Sequence, residues 1–287
     1  MDAWIYHSTK NQISIPALER MAKPLHVAVV VLLYAAALSH RFSFSLAIGV
    51  NYGTTANDLP PPQQVAQFIK DKTLIDRVKI FDANPDIIRA FAGTGILLTI
   101  TIADGDILNL ATPRAARRWV AANVQPFYPA TRFHHICVGS EVFQWTDANT
   151  IAHLVPAMKA VHNALSRAGI KDVSVTTAHS LIILNPSNFP SGSSFKTAWD
   201  RSVIAPMLDF HRRTRSPFMV NPYPYFSWSP QKDAFNLFRR NPGVRDPGTG
   251  KTYFNMYDFL LDSVHTSMKK LGYGDVEIAV GEVSGHL

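Results

Sequence analysis

The sequence has 287 residues, of which 47% are hydrophobic and 17% are charged. These values are typical of a globular chain with one large domain or two small ones, and they exclude a disordered protein. The formal net charge is +7, but the basic residues are scattered and form only short pairs such as Arg117-Arg118. This pattern argues against a nucleic-acid-binding surface. The single cysteine, Cys137, excludes an internal disulfide.

The amino-terminal region contains a strongly apolar run, LHVAVVVLLYAAAL, at residues 25–38. It is shorter than the roughly 20 residues of a membrane span. It lies between Lys23 and the small-residue triplet Ser45-Leu46-Ala47, an order typical of a secretory signal peptide. We predict an upstream extension at 1–20, a signal peptide at 21–47 cleaved after Ala47, and no stable membrane insertion after cleavage. An uncleaved anchor is the alternative.

From Ile48 onward, short β-rich runs alternate with longer stretches of helical spacing. The predicted strands are Ile48–Tyr52, Arg77–Phe81, Ile96–Ile102, Phe133–Gly139, Val173–Thr177, Phe218–Asn221 and Val276–Gly281. The predicted helices are Pro61–Lys72, Pro85–Ala92, Pro113–Asn123, Ala148–Ala168, Ser194–Arg213 and Asn255–Leu271. Repeated strand–helix units predict a parallel sheet with right-handed connections.

A (β/α)8 TIM barrel over residues 48–287 fits this pattern better than a doubly wound α/β sheet. The segment Asn51-Tyr52-Gly53-Thr54, after the first strand, lacks the glycine fingerprint of a dinucleotide site. A domain of roughly 250 residues is typical of the barrel fold. The difficulty is that seven strands are recognisable rather than eight, and that the stretch 222–247 is mostly loop.

Motifs for other ligands fail on spacing. Gly248–Thr252 (GTGKT) resembles a phosphate loop, but Arg245 stands where its first glycine is required. The histidines show no metal-binding spacing, and the adjacent pair His134 and His135 faces opposite sides of a predicted strand. We therefore expect neither a metal nor an organic cofactor.

Two glutamates directly follow predicted strands. Glu141 follows Phe133–Gly139, and Glu282 follows Val276–Gly281. In a parallel barrel the C-terminal ends of all strands lie on the face where active sites are built. Two carboxyl groups on that face are the minimum requirement for glycoside hydrolysis. The alternative is that both are simply solvated surface residues.

The predicted sixth strand leads into Asn221–Phe226 (NPYPYF), a rigid aromatic loop with hydrogen-bonding groups. Sugars present flat apolar faces edged by hydroxyls, which suit aromatic side chains with polar tips. Tyr52 ends the first strand on the same face, and Trp145 and Trp228 are candidates for further stacking surface. Each aromatic residue alone is equally compatible with core packing. Their combination at one end of a barrel indicates a carbohydrate site.

Five segments carry a family resemblance. They are Ile48–Gly53 (IGVNYG), Val78–Asp82 (VKIFD), Val138–Val142 (VGSEV), Val220–Phe226 (VNPYPYF) and Asp246–Asp262, and they occur in this order. The sequence resembles plant glycoside hydrolase family 17, the glucan endo-1,3-beta-glucosidases. The resemblance implies a retaining endo-hydrolase that cleaves β-1,3-glucan, or mixed-linkage β-1,3;1,4-glucan, in the cell wall.

The resemblance also assigns roles to individual residues. It implies Glu141 as the acid/base and Glu282 as the nucleophile, with no cofactor. The substrate contacts it implies are Tyr52, Ser140, Asn221, Tyr223 and Phe226. We expect a secreted monomer in the cell wall or extracellular space, with the vacuole as the alternative location.

The sequence departs from the family pattern in two places. Ser140 stands where the family usually has an asparagine expected to bind the sugar 2-hydroxyl, so we expect weakened catalysis. After the nucleophile the family continues with Gly-Trp-Pro, a helix, the eighth strand and a last helix, whereas here Glu282 is followed by VSGHL. The expected barrel is therefore incomplete, without its eighth strand and last helices. The alternative functions are a catalytically impaired glucan-binding relative and, more distantly, another barrel enzyme such as a mannanase.

Overall fold

The computed structural model describes residues 48–227 and 232–283. The expected extension and signal peptide at 1–47, the stacking candidate Trp228 and the segment 284–287 lie outside the described residues. None of the helices in the described ranges has the length and apolarity needed to cross a membrane.

The main sheet of the described chain is parallel and seven-stranded. Its strands, in spatial order, are β1 (Gly49–Tyr52), β2 (Arg77–Ile80), β3 (Leu97–Ile102), β4 (Arg132–Ser140), β5 (Ser174–Ser180), β6 (Phe218–Asn221) and β9 (Ile278–Val280). A separate antiparallel pair consists of β7 (Val244–Arg245) and β8 (Thr252–Tyr253). Each pairing in the main sheet joins consecutive strands of the βαβ series, so the predicted fold class is confirmed.

Helices connect most of these strands. They are α1 (Pro62–Lys72), α2 (Pro85–Ala90), α3 (Ile107–Leu110), α4 (Pro113–Asn123), α5 (Val142–Trp145), α6 (Ala148–Arg167), α7 (Ala205–Thr214), α8 (Asp233–Asn236) and α9 (Met256–Lys270). Several begin at residues whose side chains accept a backbone N–H of the first turn: Asn84, Thr112, Asp147 and Asn255. Such caps satisfy donors that have no partner within the helix and so fix where the helices start.

One predicted helix begins later than expected. The prediction placed a helix over Ser194–Arg213, but the backbone is extended at its start, and a π-helical segment at Asp200–Ile204 leads into α7. Phe195 is buried and forms a β-bridge with Leu184, and Asn185 donates its N–H to the carbonyl of Ser194. These contacts with the segment around Leu184 hold the chain extended at Phe195. The stretch 222–247, expected to be mostly loop, contains short helical turns and β7.

The core lies between the sheet and the helices that cover it. Along β3, Leu98, Ile100 and Ile102 are fully buried on one face, and the threonines between them point to the other. The buried stripe of α6, which packs on β4 and β5, is apolar at helical spacing and includes Leu154, Met158, Val161 and Leu165. Each such side chain contributes roughly 1.5–3 kcal/mol when fully buried. This buried apolar layer therefore holds the helices on the sheet.

The sheet is strongly curled. β2 and β9 are five strand spacings apart in the sheet order, which would separate them by about 24 Å if the sheet were flat. Nevertheless, Lys79 on β2 forms an ion pair of 2.8 Å with Glu282, which follows β9. Side chains of this length meet only if the sheet bends round like a barrel wall.

Two histidines are completely buried beside β6. The ring of His179 packs against Phe218 at a centroid distance of 4.7 Å, and the Nδ1 of His211 lies 2.8 Å from the Ser216 hydroxyl. Burial disfavours the charged imidazolium and lowers the pKa of both histidines to about 3. Both rings are therefore neutral in the folded protein.

We expect stability to fall below about pH 6.5, the ordinary pKa of histidine. Between this value and pH 3 the unfolded chain binds more protons than the folded chain, so each buried histidine removes up to about 1.4 kcal/mol per pH unit. Urea unfolding at pH 7 and pH 5 measures the effect. The free energy of unfolding should fall less between pH 7 and pH 5 in a His179→Leu variant than in His265→Leu, a variant of an exposed histidine. Equal decreases in the two variants would show that His179 is not the source.

Candidate active site

Glu282 is held by three donors from two sides of the curled sheet. The Lys79 ammonium lies 2.8 Å from its Oε1, and the Asn221 amide nitrogen lies 3.2 Å from the same oxygen. The Tyr223 hydroxyl donates to its Oε2 at 2.6 Å. Burial, together with the hydrogen bond to Glu282, raises the pKa of Tyr223, so this hydroxyl keeps its proton. One cation and two neutral donors therefore surround this carboxylate.

Asn221 joins the two predicted catalytic glutamates. Its amide nitrogen donates to Glu141 Oε1 at 2.9 Å as well as to Glu282. The side chain is buried at the end of β6, which neighbours β9 and lies two strands from β4 in the sheet. A Cβ on Gly281 would lie 2.8 Å from the Asn221 oxygen, so the small residue before Glu282 leaves room for this bridge.

An unusual backbone turn presents Glu141. The end of β4 is irregular, with a register shift against β5 between Cys137 and Ser140. Gly139 has φ +74 and Glu141 has φ +56, and only glycine adopts such angles without strain. A Cβ on Gly139 would lie 2.5 Å from Val142 and 2.8 Å from Asp104. The turn therefore requires glycine, and it aims Glu141 away from the strand direction.

Asp104, in the segment that follows β3, stabilises this turn by a hydrogen bond. Its Oδ1 accepts the backbone N–H of Ser140 at 2.9 Å, directly before Glu141. Burial raises the pKa of Asp104, the Ser140 hydrogen bond opposes that rise, and the negative charge of Glu141 adds to it. Asp104 is therefore a half-buried carboxyl group within electrostatic reach of Glu141.

The remaining predicted substrate contacts are Tyr52, Ser140 and Phe226. Tyr52 ends β1 and packs against the core, and burial raises its pKa. Phe226 is 80% exposed and packs its ring against Tyr223 at 5.4 Å. Within the described residues, no hydrogen bond links the side chain of Tyr52 or of Ser140 to either glutamate. Trp145 does reach Glu141: its indole nitrogen lies 3.3 Å from Oε2.

Sequence reasoning missed Lys79 and Asp104. Lys79 is one of two charged residues in the short, otherwise apolar strand β2 and carries the signal of a buried charge that needs a partner. Its ammonium also lies 4.0 Å from the centre of the Phe81 ring. Asp104 follows β3 on the same face as both glutamates. Its position at a strand end was available in the sequence, but its contact with Ser140 was not.

No group of three or more potential metal ligands occurs in the residues that the structure describes. The chemistry available at this face is that of two carboxyl groups linked by one amide and supported by a lysine and a tyrosine. The sequence that forms this site also matches the model of a known protein family. The model for "Glycosyl hydrolases family 17" matches residues 48–285.

The chain belongs to glycosyl hydrolase family 17. A Triticum aestivum "Glucan endo-1,3-beta-glucosidase" is 47% identical over 264 residues, covering 90% of this chain and 57% of that protein. "Glucan endo-1,3-beta-glucosidase 7" of Arabidopsis thaliana is 40% identical over 241 residues, covering 82% of this chain and 47% of that protein. The chain thus spans about half the length of these curated family 17 relatives.

Solved family 17 structures share the fold. CJP38, a beta-1,3-glucanase and allergen of Cryptomeria japonica pollen, superposes with a TM-score of 0.77 at 35% identity, covering 83% of this chain and 75% of that one. A plant beta-glucan endohydrolase structure gives a TM-score of 0.75 at 35% identity, with 82% and 76% coverage. The predicted family is therefore confirmed.

We expect Gly139→Ala to destabilise the protein by about 2–4 kcal/mol, since it combines a left-handed backbone with a steric overlap. Gly53→Ala is the matched control, because a Cβ at Gly53 meets no atom within 4 Å. Thermal unfolding of both variants measures the difference. Equal midpoints for the two variants would show that the turn before Glu141 tolerates a side chain.

Proposed function

We propose that this chain hydrolyses internal β-1,3-glucosidic bonds of β-glucan with retention of configuration. The observation that carries the proposal is the single amide nitrogen of Asn221, 2.9 Å from Glu141 and 3.2 Å from Glu282. These distances limit the separation of the two carboxylate oxygens to about 6 Å, near the 5–5.5 Å of retaining enzymes and below the 6.5–9.5 Å of inverting ones. The names of the family 17 relatives support the choice of substrate.

The two carboxyl groups have different surroundings, and these support the proposed roles. Glu282 accepts from Lys79, Asn221 and Tyr223, which suits a nucleophile that must be ionised. Glu141 lies near the carboxyl group of Asp104 and has no cationic partner among the described residues. We therefore give the general acid role to Glu141 and the nucleophile role to Glu282, which lies beside the Lys79 cation.

The proposed reaction has two steps. Glu282 attacks the anomeric carbon while Glu141 gives its proton to the departing glycosidic oxygen, and a covalent glycosyl-enzyme forms. Glu141, now ionised, removes a proton from water, and this water displaces Glu282 from the sugar. Asn221 holds the two carboxyl groups at a fixed separation through both steps. Tyr223 and Lys79 stabilise Glu282 when it is released as a carboxylate.

The exposed aromatic loop suits the polymer. Phe226 and Tyr225 are 80% and 41% exposed, and their ring centres lie 5.7 Å apart. Trp145 is 70% exposed beside Glu141. Aromatic faces on both sides of the glutamates offer stacking surface to successive glucose units. Tyr52 adds a partly buried ring at the end of β1.

Ser140 favours a second candidate function, a glucan-binding relative with weak turnover. The family asparagine expected at this position carries an amide fork for the sugar 2-hydroxyl, and serine offers a single shorter hydroxyl. The Ser140 hydroxyl has no hydrogen-bond partner among the described residues, so it is available for a sugar. Cleavage rate, rather than binding, separates the two candidates.

The location and assembly of the protein belong to the same proposal. The apolar run at 25–38 and the triplet Ser45-Leu46-Ala47 support secretion with cleavage after Ala47. We infer a secreted monomer that meets its substrate in the cell wall or extracellular space. N-terminal sequencing of the secreted protein tests this, and a start at residue 1 or 21 would contradict cleavage.

Glu141→Gln and Glu282→Gln should each lower the rate of reducing-end release from soluble β-1,3-glucan by about 10²–10⁴-fold or more, because neither amide transfers a proton or attacks the sugar. Glu277→Gln is the matched control. Glu277 is exposed just before β9, and its side chain has no partner among the described residues. A control-like rate in either active-site variant would refute the role of that glutamate. Absence of hydrolysis by the unaltered chain would leave the glucan-binding candidate.

A further inference from the structure

A pocket of about 280 Å³ lies outside the group of residues around the glutamates. It opens between the turn that follows β3 and helix α4. Its lining residues are Asp106, Asn109, Leu110, Ala115, Arg118 and Trp119. None of them belongs to the proposed catalytic machinery.

The polar groups of this pocket are unused by the fold. The side chains of Asp106, Asn109 and Arg118 are exposed and make no hydrogen bond or ion pair within residues 48–227 and 232–283. Asp106 precedes helix α3, but its side chain accepts no backbone N–H from the first turn. A carboxylate, an amide and a guanidinium thus line one pocket without pairing with each other.

The remaining lining is apolar and fixed in position. Leu110 and Ala115 are buried, and Trp119 is half-buried and packs against the core. A pyranose ring has apolar faces and hydroxyls at its edge. The Trp119 indole suits the apolar face, while the guanidinium donates, the carboxylate accepts and the Asn109 amide does both. Asp106 and Arg118 carry opposite charges, so the pocket lining has no net charge and suits a neutral polyol.

We propose that this pocket is a second carbohydrate-binding site that takes a glucose unit of a β-glucan chain. The choice of β-glucan as the ligand rests on the proposed function. The strand connection after β3 links the pocket to the active site: Asp104 binds the backbone before Glu141, and Asp106 lines the pocket two residues later. A polymer bound here is held close to the catalytic glutamates, whereas a short oligosaccharide gains nothing from it.

In a second surface pocket, two of the polar side chains already make contacts within the fold. It lies beside Phe238 and Phe254 and has a volume of about 410 Å³. Arg239 is paired with Asp233 at 2.8 Å, and the amide nitrogen of Asn241 donates to two backbone carbonyls. These groups hold the local fold, so the pocket beside Trp119 is the better candidate for a sugar.

The test compares two variants of the full chain, both carrying Glu282→Gln to prevent turnover. Arg118→Ala removes a pocket donor, and Arg117→Ala removes the same charge from the neighbouring exposed residue, which does not line the pocket. Depletion from solution by insoluble linear β-1,3-glucan should weaken roughly tenfold with Arg118→Ala. It should stay unchanged with Arg117→Ala. Asp106→Ala should weaken depletion in the same way, since it removes another polar group of the pocket. Within the described part of the chain, neither side chain makes a contact that supports the fold.

Kinetics in the chain with Glu282 intact give the second readout. Arg118→Ala should cleave a short soluble β-1,3-gluco-oligosaccharide at the unaltered rate and lose rate on the insoluble polymer. The proposal would be overturned if the polymer depleted Arg118→Ala as well as the protein with the unaltered pocket, or if Arg117→Ala weakened depletion as much as Arg118→Ala does. It would also be overturned if the parent protein with Glu282→Gln alone did not bind the polymer. If the chain cleaves no β-1,3-glucan yet Arg118→Ala still weakens depletion, the proposed function fails and the second site stands.

Discussion

A lysine on the second strand and a glutamate after the last strand of the sheet meet at 2.8 Å. They belong to strands five spacings apart, so this ion pair exists only because the sheet curls like a barrel wall. The curl also brings β4, β6 and the end of β9 together at one face, where Asn221 links Glu141 to Glu282. The site thus depends on tertiary packing far more than on any local segment.

Within that frame, local backbone geometry decides where Glu141 points. Glycine at position 139 permits a left-handed turn, and Asp104 secures the following N–H. Glu141 itself lies in the left-handed region, which costs a non-glycine residue on the order of 1–2 kcal/mol. Strain of this kind persists where surrounding contacts over-determine the conformation, and it is frequent in functional sites. Here the fixed partners are the hydrogen bonds from the backbone of Ser140 and Glu141 to Asp104 and Ala178.

The sequence predicts much of this, because parallel barrels follow simple periodicity. Each predicted strand overlaps an observed one, and both glutamates could be placed on one face from their positions after strands. The start of α7 could not be placed, because the bridge between Phe195 and Leu184 overrides local helical spacing. Lys79 was missed for a related reason: a charge in a strand reveals its role only when a partner from a distant strand is known. Asn221 was recognised as a sugar contact, but its hydrogen bonds to both glutamates depend on the curl.

The central claim is that the two carboxyl groups are close enough for a double displacement. The most direct measurement is ¹H NMR of the first anomer released from a β-1,3-linked glucan. The account predicts that the β-anomer appears first and the α-anomer follows only by mutarotation. If the α-anomer appears first, water attacks directly, the proposed nucleophilic role of Glu282 is wrong, and the short link through Asn221 does not describe the reacting enzyme.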